Sequence, residues 1–149
     1  MSIIMEVNVD SIRAAIELGC RTMQSVFNAD DGGIPFFGSS VFPDASLSFS
    51  AAHSEAHVPG RHLNALLTAQ DVLGIDIDEA SIDAHTRAAF FSYSGPVALP
   101  LNRAEIDGPL RNFLPHNIRE GFHALYALVR YRQSVTARQL AEASIGAIL

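Results

Sequence analysis

Apolar residues recur with a helical period in five stretches of the chain. From Ser11 to Phe27, Ile12, Ala15, Ile16, Gly19, Cys20, Met23, Val26 and Phe27 fall on one face. Arg13, Glu17, Arg21, Gln24 and Ser25 fall on the other, the roughly 3.6-residue spacing of an amphipathic helix. Asp10 stands where an N-cap belongs. A second helix is expected after Pro59 and runs to about Leu73, where Gly74 suits a C-terminal stop. Its apolar arc is wide, which predicts burial on more than one side. The third runs from about Asp78 to Tyr93, with Asp76 and Glu79 spaced as a capping box. The fourth spans about Pro115 to Gln133, with proline at a tolerated first-turn position. The fifth follows Ser134, with Leu140, Ala141, Ser144, Ile145 and Ile148 on its face. The pattern predicts an all-α fold of about five helices in hairpins, forming a single helical domain over 1–149.

Two connections are long: about 31 residues from Asn28 to Val58 and about 21 from Ser94 to Leu114. Such segments in compact domains are functional or disordered. These carry Phe36, Phe37, Phe42, Leu47, Phe49, Val97, Leu99 and Leu101, enough apolar surface to pack down, so they are expected to be ordered. Short strands at Leu47–Ser50 and Val97–Leu101 fit the pattern. The fifth helix has no hairpin partner and ends in an apolar run, which leads us to expect a second subunit, making a homo-oligomer, or a missing C-terminal portion.

Composition narrows the function classes. With 149 residues, 48% of them hydrophobic, the chain can bury a core. The formal charge is −6, and the ten Lys and Arg are scattered. No basic stripe exists to neutralise a phosphate backbone, so no nucleic acid partner is expected. Cys20 is the single cysteine, which excludes an intrachain disulfide and a Cys-based zinc site. No window approaches ~18 uninterrupted apolar residues, so no membrane span is expected. Met1–Asp10 lacks the pattern of a signal peptide. The expectation is a soluble, cytoplasmic protein. P-loop, G-x-G-x-x-G, G-x-S-x-G and Cys/His nucleophile patterns are absent, so no cofactor is expected.

Three regions could carry chemistry. Asp30 and Asp31, followed by Gly32 and Gly33, form an acidic turn that can present a general acid or base or ligate a hard cation; an ordinary Asp-Gly turn has the same sequence. Phe36 and Phe37 follow, flat surfaces for a sugar. Next come His53, Glu55, His57, Arg61 and His62 within ten residues. At a helix N-terminus, free backbone N–H groups and Arg61 favour a carboxylate or phosphate. Histidines four apart on a helical turn can share a metal, although Pro59 disfavours a helix through Val58. On the fourth helix His116, Glu120 and His123 share one stripe bordered by Arg119, Tyr126 and Arg130. Ile118, Phe122, Leu125, Leu128 and Val129 are expected on the opposite, apolar side.

The segments His57–Leu67 and His116–Leu125 resemble the (α/α) toroid carbohydrate-active enzymes, glycoside hydrolases and polysaccharide lyases built as rings of helical hairpins whose loops line a sugar-binding cleft. The resemblance implies the N-terminal portion of such a ring, binding an oligosaccharide or other small molecule between loops 28–58 and 94–114. A hydrolase would need two carboxylates, for which Asp30 or Asp31 with Glu55 or Glu120 are candidates. A lyase would need a base and groups that neutralise a uronate, for which His123, Tyr126, Asn117 and Arg119 are available. Phe36, Phe37, His57, Arg61, His62, His116, Asn117 and Arg119 are the candidate substrate-binding residues, and no bound metal is expected. Two rival readings stay open. One is a non-enzymatic helical domain associating through its fifth helix; the other is a metal-binding protein using His53, His57, His116 and Glu120.

Overall fold

The computed structural model describes residues 11–149. Its five helices are α1 (Ile12–Met23), α2 (Val58–Leu73), α3 (Glu79–Ser92), α4 (His116–Arg132) and α5 (Val135–Ile148). Asp10, the expected cap of α1, lies with the rest of Met1–Asp10 outside the described residues. Ser11 caps α1 instead, its side chain accepting from the Ala14 amide. The helix stops at Met23, short of Phe27. Thr22 and Ser25 turn their hydroxyls back onto carbonyls of the last turn, an alternative to continuing the ladder. Phe27 then bridges to Pro35 in extended backbone.

α2 begins at Val58 and takes Pro59 into its first turn. The pre-proline restriction is overcome because the chain is already turning: the His53 carbonyl accepts from both the His57 and Val58 amides at 3.0 Å. α3 is capped by Asp78, which accepts from the Ala80 amide. Asp76 and Glu79 therefore form no capping box, since Glu79 is already the first helical residue. Gly74 ends α2 at φ +62°, a left-handed stop that costs glycine nothing.

The connections are not purely irregular, and the all-α expectation is corrected to mostly helical. Two small antiparallel hairpins occur, β1 (Gly38–Ser40) with β2 (Ser46–Ser48), and β3 (Leu101–Arg103) with β4 (Leu110–Phe113). Both expected strands are displaced by a few residues, as the register is set by pairing across each turn. Among the described residues no helix is long and apolar enough to cross a membrane.

α2 and α4 pack most closely, and glycine makes this possible. A Cβ on Gly60 would run into the Glu120 carbonyl, and one on Gly121 would meet the Tyr93 hydroxyl at 2.5 Å and Pro100 at 2.8 Å. The two helices are parallel. Gly60 meets Glu120 at their starts, and Thr68 meets Tyr131 at 3.2 Å near their ends. Short turns link α2 to α3 and α4 to α5, so both long connections arrive at one end, where α2 and α4 begin. Leu63, Leu66, Leu67, Leu125 and Leu128 fill the core between them.

This packing corrects the expected division of α4 in part, since Leu125 and Leu128 of the expected apolar side are buried in the core. Its buried face is Asn117, Glu120, Gly121, Ala124, Leu125, Ala127 and Leu128, while Ile118, Phe122 and Val129 are only partly covered. Small side chains let α2 approach, and Glu120 is carried inward with them. On α5 the buried positions are Ala137 and Ser144, with Leu140 and Ala141 partly covered. Ile145 and Ile148 fall off this face and remain about half exposed.

Candidate functional site

The end of the fold where α2 and α4 begin is organised by the turn Ser50–His57. Polar side chains satisfy its backbone from outside. Asn102 on β3 donates to the Ala52 carbonyl at 3.2 Å and accepts from the Ala56 amide at 3.1 Å. Asn112 on β4 donates to the Ala51 carbonyl at 2.7 Å, and Asn117 on α4 to the Ala52 carbonyl at 2.8 Å. Buried peptide groups need such partners, so three asparagines fix a segment that has no ladder of its own.

Arg103 ties the two long connections together. Its Nε donates to Glu55 at 2.6 Å, and its two terminal nitrogens grip Asp31 at 2.9 and 2.5 Å. The guanidinium lies near the faces of Phe49 (5.5 Å) and Phe91 (5.4 Å), a favourable seat for a planar cation. Burial pushes the Glu55 carboxyl above its ordinary range, opposed by Arg103. Asp30 and Asp31 line a cavity of about 370 Å³ with Arg87, Phe91, Arg103 and Asp107. Asp31 and Glu55 are thus brought to one guanidinium, and neither lines the cleft between α2 and α4.

That cleft, about 420 Å³, is lined by Arg61, Asn64, Ala65, Arg119, Glu120 and His123. Oε1 of Glu120 accepts from Arg61 at 3.3 Å and from Arg119 at 2.9 and 2.5 Å. The His123 ring lies 3.4 Å from Oε2. The carboxylate is 1% exposed, while the Arg61 and Arg119 side chains are 57% and 64% exposed. Burial alone would raise the Glu120 pKa, but the two guanidiniums more than offset it and hold the group below its ordinary value. Two cations on one anion leave net positive charge and unused N–H donors facing the opening. Tyr126 lies farther along α4, exposed, and does not line the cleft.

One helical turn closer to the helix starts sits a second group. The rings of His53, His57 and His116 have centroids 4.9, 5.4 and 5.9 Å apart. Phe37 stacks on His53 at 4.1 Å and meets His57 edge-on at 5.8 Å. Desolvation lowers the pKa of both His53 and His57. The Ser50 hydroxyl lies 3.0 Å from Nδ1 of His53. Nδ1 of His57 and Oδ1 of the fully buried Asn117 have no hydrogen-bond partner among the described residues.

His62 and Phe36 stand apart from both groups. Phe36 is partly buried and its amide bonds the Val26 carbonyl at 2.8 Å. His62 packs inward against His85 at 3.3 Å, and Nε2 of His85 donates to the Met23 carbonyl at 2.9 Å. Burial pushes His62 down to about 3 and His85 down to about 4. Sequence reasoning missed Arg103, Asn102, Asn112 and Asn64. Arg103 offered one signal, a lone cation closing the apolar run from Val97 to Leu101. The asparagines offered none. Comparison of the chain with protein-family models, with curated proteins and with solved structures finds no match.

Proposed function

We propose that the chain is part of a carbohydrate-active helical toroid, and that the cleft between α2 and α4 binds an acidic sugar unit for lyase-type cleavage. The observation that carries this reading is the pair of half-exposed guanidiniums, Arg61 and Arg119, over one buried carboxylate beside His123. A uronate carboxylate would accept N–H bonds that Glu120 leaves unused. The parallel course of α2 and α4, with both long connections at their starts, supports the toroid resemblance.

The carboxylates favour elimination over hydrolysis. A hydrolase needs a pair flanking the bond, one of them a general acid with a raised pKa. Glu120 is held ionised by its arginines; Glu55, whose carboxyl burial does raise, is fully buried and tied with Asp31 to Arg103, and neither lines the cleft. In elimination the guanidiniums neutralise the uronate carboxylate, which acidifies the adjacent C–H. His123 takes that proton, the carbon–oxygen bond to the leaving sugar breaks as the carbon–carbon double bond forms, and the protonated His123 returns the proton to the departing oxygen.

Binding tests this directly. Calorimetric titration with a uronate-containing oligosaccharide should give saturable binding, weakened roughly tenfold or more by Arg61→Ala or Arg119→Ala, the loss of one charge-assisted bond of about 1.5–3 kcal/mol. A neutral oligosaccharide of the same length should bind more weakly. Equal binding of the two sugars, or none of the acidic one, sinks the proposal. Turnover would appear as ultraviolet absorbance of the unsaturated uronate.

A further inference from the structure

We propose that His53, His57 and His116 form a site for a divalent transition-metal ion of the zinc class. The observation is geometric. Each residue offers a ring nitrogen, and no two of these nitrogens are more than 4.8 Å apart. Tetrahedral binding at about 2.0–2.1 Å puts ligand nitrogens roughly 3.3 Å apart. The widest spacing thus exceeds that of a bound ion's ligands by at most about 1.5 Å.

The local fold supplies these positions without strain. His53 and His57 are four apart on a turn closed by the His57 amide and the His53 carbonyl at 3.0 Å, so both rings leave on one side. His116 opens α4, and the contact of Gly60 with the Glu120 backbone sets how near α4 comes to α2. The turn itself is clamped by Asn102, Asn112 and Asn117. Two ligands on a clamped turn and a third on a rigid helix make a preorganised set.

The surroundings fit metal chemistry. The Ser50 hydroxyl beside Nδ1 of His53 fixes the orientation of that ring, a role partners of metal-bound histidines commonly fill. The His57 ring is neighboured by the buried side chain of Asn117, a polar partner of the kind that orients metal-bound histidines. Phe37 covers one flank of the cluster. Three imidazoles and no sulfur suit zinc, with borderline ions of the same class as competitors. A three-histidine set leaves room for a water or a ligand atom, as in catalytic zinc sites. Arg61 and Glu120 follow His57 and His116 by four residues on their helices, so such a ligand would border the α2–α4 cleft. The metal site does not depend on that cleft binding sugar.

The test uses the full, untagged chain stripped with a chelator and then dialysed. Titration with Zn2+ against a chromophoric competitor should give one tight equivalent per chain. Co2+ in its place should give the intense visible absorption of a four-coordinate site. His116 is exposed and makes no hydrogen bond among the described residues, so His116→Ala should fold by circular dichroism and bind Zn2+ at least tenfold more weakly. His53→Ala should do the same, and His123→Ala should keep the wild-type metal affinity. Absence of a tight equivalent in the wild type, or one that survives His116→Ala in folded protein, overturns the site. Because no sugar enters the assay, its failure is separable from failure of the lyase reading.

Discussion

At the scale of single residues, Arg103 has the greatest leverage on the candidate site. Its side chain is 6% exposed between Glu55 and Asp31. Removing one partner of a buried ionic group strands the others, at a cost of about 3–5 kcal/mol. Arg103→Leu should lower the urea midpoint accordingly. Arg103→Lys, which keeps the charge but loses the fork that holds Asp31, should recover part of the loss. A change below about 1 kcal/mol for Arg103→Leu would mean the triad contributes as little as exposed pairs do. Acidic Asp30 and Asp31 and the histidine-rich turn were legible in the sequence because their density is unusual for this chain. Their true partner was not, since nothing local marks Arg103 as lying beside residues 48 and 72 positions away.

At the scale of elements, helix existence was readable and helix facing was not. Periodicity located all five helices to within a few residues. On α4, however, two faces compete: one rich in branched apolar residues and one of Gly121, Ala124 and Ala127. The small residues face α2 because Gly60 lets the two backbones approach closely there, while Leu125 and Leu128 still fill the core. That choice turned Glu120 from a solvated residue into the buried base of a cleft. Gly60→Ala is the corresponding test. The added Cβ collides with the Glu120 carbonyl, which is backbone and cannot swing aside. Overpacking of this kind costs about 1–3 kcal/mol and sometimes more. Chemical denaturation should register it, and the variant should also lose affinity for Zn2+ as His57 and His116 part. Stability equal to wild type would mean the seam is looser than described.

For the whole molecule, the fully buried His85, packed against His62, links folding to pH. The folded pKa of His85 is pushed down to about 4 by desolvation, against about 6.5 in the unfolded chain. Between those values the unfolded state binds more protons, so stability rises with pH across this window. It is fully present above about pH 7 and falls as pH drops through 6.5 toward 4, by on the order of a few kcal/mol. Thermal melts from pH 4 to 7 should follow that slope, and His85→Leu should flatten it at some cost from the freed Met23 carbonyl. A slope unchanged in His85→Leu would assign the effect elsewhere. Neither the pairing of His62 with a residue 23 positions away nor the resulting charge state is written in local sequence, where His62 reads as one more member of a polar cluster.

The asparagine clamp on the Ser50–His57 turn also bears on the order in which the molecule assembles. Hairpins such as α2–α3 and α4–α5 can close through contacts near in sequence. The turn cannot: its supporting bonds reach across 46 to 65 residues. Contacts of such separation incur their loop-closure entropy before they return any stabilisation. The histidine cluster and the Arg103 tie are therefore expected to be completed after the α2–α3 and α4–α5 hairpins.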